Sequence, residues 1–323
     1  NWYKIQLDKT GIYKITYSEI QAMGVNMATV TPTNIRLFGN GGAMLPEANN
    51  IARYDDLAEN AISVVTASPG VFAPGDYILF YGTAPGRSVY NKTTRRFEHT
   101  FNIYSDYSYY YLNFDSGPGL RISEQSTSQL SPTYTSKGFM EGVFYEKDLL
   151  NFINSGKDWV GERMDPGTPV FELPEFSFPN ITVGKQSVIR YRVTSRSGSG
   201  ASFKVKANDV EIGTPSCPAS SEYNYATERI ETKSFTSSEK LKIAFQYTGS
   251  GSAIGWLDWV ELNVPRDLKF TGGQMAFADP ASANTGAVTE FLLSGSSANV
   301  TIWEVTNPVQ AKRVPTELQG GVS

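Results

Sequence analysis

Turn-forming residues recur along this chain and divide it into short segments. The 323 residues include 29 glycines and 17 prolines, spread from one end to the other, and both residue types interrupt regular helices and strands. Between them, segments such as Tyr3–Leu7 and Ile12–Ile15 alternate apolar and polar side chains. A period of two residues indicates half-buried strands. The spacing therefore predicts a mostly β chain without long helices.

The pattern predicts β-rich domains in tandem. Residues 1–115 are expected to form the first domain, which opens with a hairpin of Tyr3–Leu7 and Ile12–Ile15 and continues into a short helix that ends near Gly24. Residues 116–139 are rich in Ser, Thr and Gln and lack periodicity. We expect this segment to be a linker.

Short strands return at regular intervals over residues 140–265. This spacing is typical of an antiparallel β-sandwich, most simply a jelly roll. In the remaining residues 266–323, the segments 287–293 and 299–305 flank a Ser/Gly turn and predict a β-hairpin. About 55 residues bury too little surface to form a domain alone, so we expect this segment to pack on other β-structure.

The charge pattern and the chain's apolar segments exclude several partners. The net charge is −4 and the pI is near 5.3, and no basic cluster offers a footprint for phosphate backbones, so nucleic acid is not an expected partner. No apolar run approaches the ~18 residues of a spanning helix, so no membrane span is expected. The chain opens with Asn1 rather than Met. We expect it to be part of a longer protein.

The chain contains one cysteine, Cys217, and one histidine, His99. Single copies allow neither a disulfide framework nor a Cys/His metal cluster. A thiolate–imidazole pair needs direct contact, but Cys217 lies in a Pro-flanked turn of the second predicted domain and His99 lies in the first. We therefore expect no catalytic residue and no bound cofactor, and we do not expect this chain to be an enzyme.

The most unusual stretch of the sequence is rich in tyrosine and lies at Tyr104–Phe114. Strand alternation places Tyr107, Tyr109 and Tyr111 on one face, and places Tyr110, Leu112 and Phe114 on the other face, which we expect to be core. The first three tyrosines are candidate binding residues, because exposed aromatic rings stack on sugars or on protein partners. The alternative is that they cover a neighbouring domain.

A second aromatic strand is predicted at Trp256–Leu262. Alternation groups Trp256, Asp258, Val260 and Leu262 on one face. Asp258 follows closely after a glycine and is the candidate ligand of a structural calcium ion, because hard cations prefer carboxylate and carbonyl oxygens. The dense Asp/Asn loop typical of calcium sites is not present in this part of the sequence.

Ten short segments distributed along the chain carry a family resemblance. They are Trp2–Ile5, Thr10–Ile15, Ile35–Glu47, Asp55–Asn60, Gly75–Tyr81, Tyr104–Asp106, Ser155–Glu162, Trp256–Glu261, Gln274–Phe277 and Ile302–Thr306. Together they resemble the N-terminal region of the gingipain-like cysteine peptidases that act as sortases of the Bacteroidetes type IX secretion system. The resemblance extends over essentially the whole chain, and neither His99 nor Cys217 matches a catalytic motif of the family.

In this family a peptidase domain with a catalytic His and Cys follows such a region, so the resemblance implies catalytic residues beyond Ser323. It also implies an exported protein, associated with the outer membrane or cell surface, that cleaves C-terminal sorting domains and attaches cargo to the cell surface. This chain would be its non-catalytic scaffold and recognition region. The implied partners are the downstream peptidase domain and secreted cargo sorting domains or other secretion-system components.

Two other classes of function stay open on the residues alone. A carbohydrate-binding or adhesin-like surface protein would use a jelly roll with exposed aromatic side chains. A free-standing glycoside hydrolase would need a pair of carboxylates, for which Glu162 with Asp165, or Asp258 with Glu261, are the nearest candidates.

Overall fold

The computed structural model describes residues 1–156, 158–283, 286–296 and 300–318. Strands contain 44% of the residues and helices 7%, so the predicted mostly β fold is confirmed. Within these described residues, no helix combines the length and the apolar character needed to cross a membrane.

The regular elements are short and numerous. In chain order the strands are β1 (Tyr3–Leu7), β2 (Gly11–Thr16), β3 (Arg36–Phe38), β4 (Glu59–Asn60), β5 (Ser63–Val65), β6 (Tyr77–Gly82), β7 (Arg87–Asn91), β8 (Arg96–Thr100), β9 (Ser108–Asn113), β10 (Ser123–Glu124), β11 (Tyr134–Ser136), β12 (Gly138–Glu146), β13 (Leu150–Asn151), β14 (Trp159–Val160), β15 (Arg163–Met164), β16 (Val170–Glu172), β17 (Phe176–Ser177), β18 (Ser187–Arg196), β19 (Ala201–Ala207), β20 (Val210–Gly213), β21 (Ser216–Cys217), β22 (Thr227–Phe235), β23 (Lys240–Leu241), β24 (Ile243–Thr248), β25 (Ile254–Asp267), β26 (Thr289–Phe291), β27 (Ile302–Glu304) and β28 (Lys312–Val314). The helical elements are α1 (Tyr17–Ala22) and 3-10 turns at Met27–Thr29, Pro32–Asn34, Phe152–Asn154, Pro280–Ser282 and Pro308–Gln310.

The chain folds into two compact units that are discontinuous in sequence. Unit 1 contains Asn1–Arg87, Thr100–Ser131 and the described part of 296–323, and unit 2 contains Ser88–His99 and Pro132–Gly295. This division differs from the predicted sequential domains at 1–115, 140–265 and 266–323. The predicted linker, 116–139, contributes strands to both units, because β10 pairs with β28 and β11 pairs with β26.

Unit 1 is built around two antiparallel sheets, with strand orders β1-β9-β3-β4 and β2-β6-β5. The strands β1 and β2 form where they were predicted, but the hairpin between them is wrong: β1 pairs with β9 and β2 pairs with β6. The reason is packing. Leu7 at the end of β1 and Ile15 in β2 both enter one hydrophobic cluster together with Ile78, Phe80 and Leu112, so the connection passes from one sheet to the other.

The predicted short helix is confirmed as α1, and its ends show why it forms there. The Thr16 hydroxyl accepts the Glu19 backbone N–H at 3.3 Å, and the Glu19 carboxylate accepts the Thr16 backbone N–H at 2.7 Å. This reciprocal capping box satisfies donors that the first helical turn leaves unpaired. Gly24, with φ of +86°, follows the last turn, and Ile20 is buried in the core.

Unit 2 is the predicted antiparallel β-sandwich. One sheet has the order β12-β25-β18-β22, with β15 also pairing with β25, and the other has the order β16-β24-β19-β20, with β21 also pairing with β19. Side chains from both sheets form one hydrophobic cluster, in which Ile189 and Val193 of β18 lie with Phe203 of β19 and Phe245 of β24. Burial of apolar surface between the two sheets is the main stabilising contribution to this unit.

A β-bulge interrupts the regular alternation of β25. Arg192 pairs with Trp259, but the next residue of β18, Val193, pairs with Leu257, so Asp258 has no register partner. The core side chains of β25 are consequently Leu257, Val260, Leu262 and Val264. The prediction that Trp256, Asp258, Val260 and Leu262 share one face is therefore wrong, since the extra residue reverses the phase of the strand.

A C-terminal hairpin exists, but it joins β27 to β28 and does not join 287–293 to 299–305. The first predicted strand, 287–293, contains β26, which pairs in parallel with β11 of unit 2. The second, 299–305, contains β27, which pairs with β28 of unit 1; Asn299 lies outside the described residues. The two segments separate because β26 pairs with a strand more than a hundred residues earlier, whereas β27 pairs with the strand that follows it.

Candidate functional site

The outer face of the β12-β25-β18-β22 sheet points away from the sandwich core, and the hairpin β7-β8, whose residues 88–99 belong to unit 2, packs over part of β12 and β25 on this face. Asn263 of β25 holds this hairpin by its backbone: its Nδ2 donates to the Phe97 carbonyl at 2.9 Å, and its Oδ1 accepts the Phe97 N–H at 2.6 Å. Phe97 packs against Gly142 of β12, where a side chain would overlap the Phe97 Cβ. The close approach of the hairpin therefore requires glycine.

His99, at the end of this hairpin, lies between two carboxylates. Its Nδ1 is 2.6 Å from Glu261 Oε1, and its Nε2 is 2.8 Å from Glu146 Oε2. The His99 backbone N–H also donates to Glu261 Oε1 at 2.9 Å. The ring stacks on Phe144 and lies against Trp259, with centroid distances of 5.1 Å to each. Only 10% of the His99 side chain is exposed, so these contacts are made out of bulk water.

Arg190 completes this group, which we call the His99 cluster (His99, Glu146, Arg190 and Glu261). Its Nη1 lies 3.2 Å from Glu261 Oε2, and its guanidinium lies over the Trp259 ring, 4.8 Å from the centroid. With His99 protonated, two cations face two carboxylates. A buried cluster is tolerated when its charges are paired in this way, whereas an uncompensated buried charge costs several kcal/mol.

The cluster controls the protonation of its own members. Burial by itself would lower the pKa of His99, but the carboxylates of Glu146 and Glu261 outweigh burial and raise it to about 9. Burial by itself would raise the pKa of Glu261, but hydrogen bonds from His99 and Arg190 lower it below its usual value. At neutral pH His99 is therefore a cation. A histidine in this state holds structure and cannot act as a general base.

The sequence alone predicts His99 in the first domain and does not indicate this cluster. A usable signal exists, because the alternating segments Arg87–Asn91 and Arg96–Thr100 flank a polar turn, which is typical of a hairpin. Neither segment indicates that the hairpin packs on a sheet formed some 160 residues later in the chain. Glu261, the partner of His99 in β25, is predicted from the sequence only as one half of a possible carboxylate pair.

Asp258, the candidate calcium ligand, lies at the bulge and is 2% exposed. Its Oδ2 is 2.9 Å from Nη1 of Arg192, which also pairs with Glu228. Burial raises the pKa of Asp258 to about 7, with Glu146 adding to the increase and Arg192 opposing it. Among the described residues, no three His, Cys, Asp or Glu side chains are grouped to hold a metal ion. A guanidinium occupies the position beside Asp258 that a cation would take.

Cys217 lies in β21, inside the hydrophobic core of unit 2. Its Sγ contacts the Val193 carbonyl at 4.0 Å, and burial raises the pKa of the thiol to about 11. The reactive form of cysteine is the thiolate, so a raised pKa makes this side chain inert. Although Cys217 and His99 belong to the same unit, contrary to the prediction, each is held by different partners.

The tyrosine-rich strand of unit 1 has the predicted alternation. Tyr110 and Leu112 are buried in the core, with Phe114 partly buried against it, while Tyr109 and Tyr111 are half-buried and Tyr107 is 41% exposed. The Tyr110 hydroxyl accepts the Thr83 backbone N–H at 3.0 Å, which satisfies the polar end of a buried ring.

The opposite side of this strand belongs to an aromatic face, which we define as Trp2, Phe38, Tyr107, Tyr109 and Tyr111. Trp2 is 55% exposed and lies edge-on to Phe38, with centroids 5.0 Å apart, and Phe38 is the cross-strand partner of Tyr111. The Nζ of Lys4 lies 3.7 Å from the Tyr109 ring centroid. This cation covers one side of Tyr109, whereas Trp2 and Tyr107 present aromatic surface to solvent.

Comparison with solved structures identifies a similar fold. The crystal structure of dimeric latent PorU from Porphyromonas gingivalis is 23% identical in sequence and superposes with a TM-score of 0.82, covering 99% of this chain and 29% of the PorU chain. This chain thus spans less than a third of the length of that protein. At this identity the likeness shows a shared fold.

Other structural matches are partial. The carbohydrate-binding module CBM36 in complex with calcium and xylotriose is 15% identical, with a TM-score of 0.26, and covers 38% of this chain and 98% of the module. The C-terminal CBM6 of LamC, a laminarinase from Zobellia galactanivorans, is 16% identical, with a TM-score of 0.26 and the same coverage. No protein-family profile and no curated protein sequence matches the chain. Over 99% of its length, this chain has a fold similar to that of the matching 29% of PorU.

Proposed function

We propose that this chain is the non-catalytic N-terminal scaffold and recognition region of a type IX secretion sortase. The observation that carries the proposal is the fold likeness to PorU, itself such a sortase, over 99% of the chain. The family resemblance of ten sequence segments, distributed over both units, supports the same assignment.

The side chains that catalysis would require support a scaffold role. His99 is a cation that pairs with both Glu146 and Glu261. Cys217 is a thiol in the hydrophobic core, and its pKa is raised. A cysteine peptidase needs a thiolate beside a free base. In the proposed parent protein, a downstream peptidase domain supplies this pair, and the chain described here supports that domain and presents surfaces to secreted cargo or other secretion components. The parent protein is exported and associated with the outer membrane or cell surface.

The test compares the chain with its parent protein. The purified chain is incubated with a cargo protein that carries a C-terminal sorting domain, and the full-length parent is incubated alongside. We expect turnover by the parent alone, and we expect Cys217→Ala in the parent to leave turnover unchanged. Cleavage by the isolated chain that Cys217→Ala abolishes would overturn the proposal. A parent sequence without a peptidase domain would overturn it as well.

A second candidate, carbohydrate binding by unit 1, is favoured by the exposure of Trp2 and Tyr107. Exposed aromatic rings are the usual platform for sugar rings, and the face they share also carries polar groups that can hydrogen-bond hydroxyls, such as Lys4 and Gln6. Binding of the chain to a glycan array, lost in Tyr109→Ala and in Trp2→Ala but retained in Tyr223→Ala, would support it. Tyr223 is a suitable control because it is 88% exposed and lies in unit 2. An array without bound glycans, or equal binding by all variants, would exclude it.

Asp258 as a calcium ligand is tested in the same preparation. Arg192 pairs with Asp258, so we expect calcium to leave the melting temperature of the chain unchanged. The concentration to use is about 1 mM, at which weak extracellular calcium sites are occupied. A calcium-dependent rise in the melting temperature that Asp258→Asn abolishes would establish a calcium site.

A further inference from the structure

We infer that the hairpin β7-β8 is a strap that the positive charge of His99 locks onto the outer face of the unit 2 sheet, and that the strap detaches when this charge is lost. The inference is independent of the proposed function, since it concerns only contacts within unit 2.

The attachment of the hairpin to the sheet differs from ordinary strand pairing. Its two strands pair with each other as a separate two-stranded sheet, and no described strand of the sheet below pairs with them. The hairpin is therefore held by side chains. Asn263 binds the Phe97 backbone, Phe97 packs on Gly142, and His99 bridges Glu146 and Glu261. An isolated two-stranded hairpin is only marginally stable in water, so these contacts decide whether the strap stays in place.

Among these contacts, those of His99 depend on its charge. A neutral imidazole donates from one nitrogen only, so it cannot serve both carboxylates. The charged groups in this cluster and next to it come from β12, β18, β25 and the strap. They are Glu146 on β12, Glu261 and Asp258 on β25, Arg190 and Arg192 on β18, and Glu98 on the strap itself.

Removal of one proton from His99 leaves the carboxylates of Glu146 and Glu261, whose side chains are 12% and 3% exposed, without their shared cation. Arg190 then remains as the cation of the cluster, and it contacts Glu261. Separation of the strap from the sheet restores water to both carboxylates, which offsets the loss of the contacts made by Phe97 and Asn263. The strap is thus closed at neutral pH and released in alkaline solution.

Hydrogen exchange measured by mass spectrometry tests this on the whole chain. The readout is the protection factor of a peptide covering residues 88–99, with β24 in the sandwich core as internal reference. Protection factors remove the dependence of intrinsic exchange on pH. We expect the strap to lose at least about tenfold protection between pH 8 and pH 10, while β24 keeps its protection.

Three variants sharpen the test. In His99→Gln we expect the strap to be at least about tenfold less protected than wild type already at pH 7, because the bridging charge is absent. In Glu146→Gln we expect release at a pH about one unit lower, because one of the two carboxylates that favour the charged imidazole is gone. Lys92→Gln at the exposed tip of the strap is the matched control and should release at the wild-type pH.

Wild-type protection of the strap that is equal at pH 8 and pH 10 would overturn the inference. So would a wild-type level of protection in His99→Gln. If His99→Gln also loses the protection of β24, the variant has unfolded, and the release pH of Glu146→Gln then decides: an unchanged release pH refutes the charge lock, and a lowered one supports it.

Discussion

The strands β9 of unit 1 and β25 of unit 2 are both inner strands rich in aromatic residues, but their burial differs. In β9 burial alternates, with Tyr110 and Leu112 buried and Tyr109 and Tyr111 partly open. In β25 every residue from Gly255 to Val264 is buried. The outer face of β25 is covered by the hairpin β7-β8 around Trp259–Asn263 and by Phe152 at Trp256. In contrast, the aromatic face of β9 keeps Trp2 and Tyr107 exposed. Alternation thus identifies a strand's core face, but a remote segment decides whether its second face is also buried.

The largest effect should come from breaking the buried ionic contacts on the covered face. Glu261→Ala leaves His99 and Arg190 without their shared carboxylate, and we expect it to lower the free energy of unfolding of unit 2 by about 3–5 kcal/mol. The measurement is urea unfolding followed by tryptophan fluorescence. Glu211→Ala is the control, because Glu211 pairs with Lys204 in solvent and its removal should leave the free energy of unfolding almost unchanged. Equal losses in the two variants would show that the outer face is not a buried environment.

The next effect is the dependence of this stability on pH. The pKa of His99 is raised from about 6.5 to about 9 in the folded state, so its contribution is complete below about pH 6.5 and is lost as the pH rises towards 9. We expect the advantage of wild type over His99→Gln to shrink by up to about 3 kcal/mol across that interval. Unfolding curves at several pH values measure it. A difference that stays constant with pH would show that His99 contributes through packing alone.

A smaller effect should follow when an added methyl group pushes the hairpin away from the sheet. A methyl group at Gly142 would overlap Phe97, so Gly142→Ala should cost about 1–3 kcal/mol and reduce the protection of the hairpin in hydrogen exchange. Gly198→Ala in the same unit is the control, because the added atom would meet open space. If both variants unfold at the same urea concentration as wild type, the hairpin does not approach the sheet as closely as described.

The smallest effects should come from substitutions in β9, whose second face is partly exposed to solvent. Tyr110→Phe removes the acceptor of the Thr83 N–H and should cost about 1–2 kcal/mol, because a buried donor is left unpaired. Tyr109→Ala, one residue earlier, should change the stability of unit 1 by less than about 1 kcal/mol, since it loses half-exposed surface and a cation contact from Lys4. A larger cost for Tyr109→Ala would indicate that the aromatic face is covered.

Local features of this fold are predictable from the sequence where neighbouring residues determine them. The helix α1 follows from Thr16, Glu19 and Gly24, whose capping interactions span only a few residues. The two faces of β9 follow from an alternation that holds from Ser108 to Leu112 and that no insertion disturbs. In both cases the physical cause and the sequence signal lie in the same short segment.

Features that depend on distant segments were not predictable in this way. The bulge at Asp258 reverses the phase of β25, and nothing in its own composition indicates it. The His99 cluster combines residues from β8, β12, β18 and β25, so each charge looks like an ordinary surface charge until the sheet is assembled. The pairing of β26 with β11, instead of with β27, likewise depends on a strand more than a hundred residues earlier.

The discontinuous course of unit 1 has a consequence for the order in which the chain can fold. The backbone N–H of Ala61 donates a hydrogen bond to the carbonyl of Val309, and this contact closes a loop of roughly 250 residues. The entropic cost of closing a loop rises with its length. All of unit 2 lies inside that loop. When the chain emerges from its N-terminus, all residues of unit 2 are available before β27 and β28. Unit 2, which is inserted into the sequence of unit 1, therefore folds first, while unit 1 stays partly assembled. We expect the completion of unit 1 to be the slow step, because its contacts join residues that are distant in sequence.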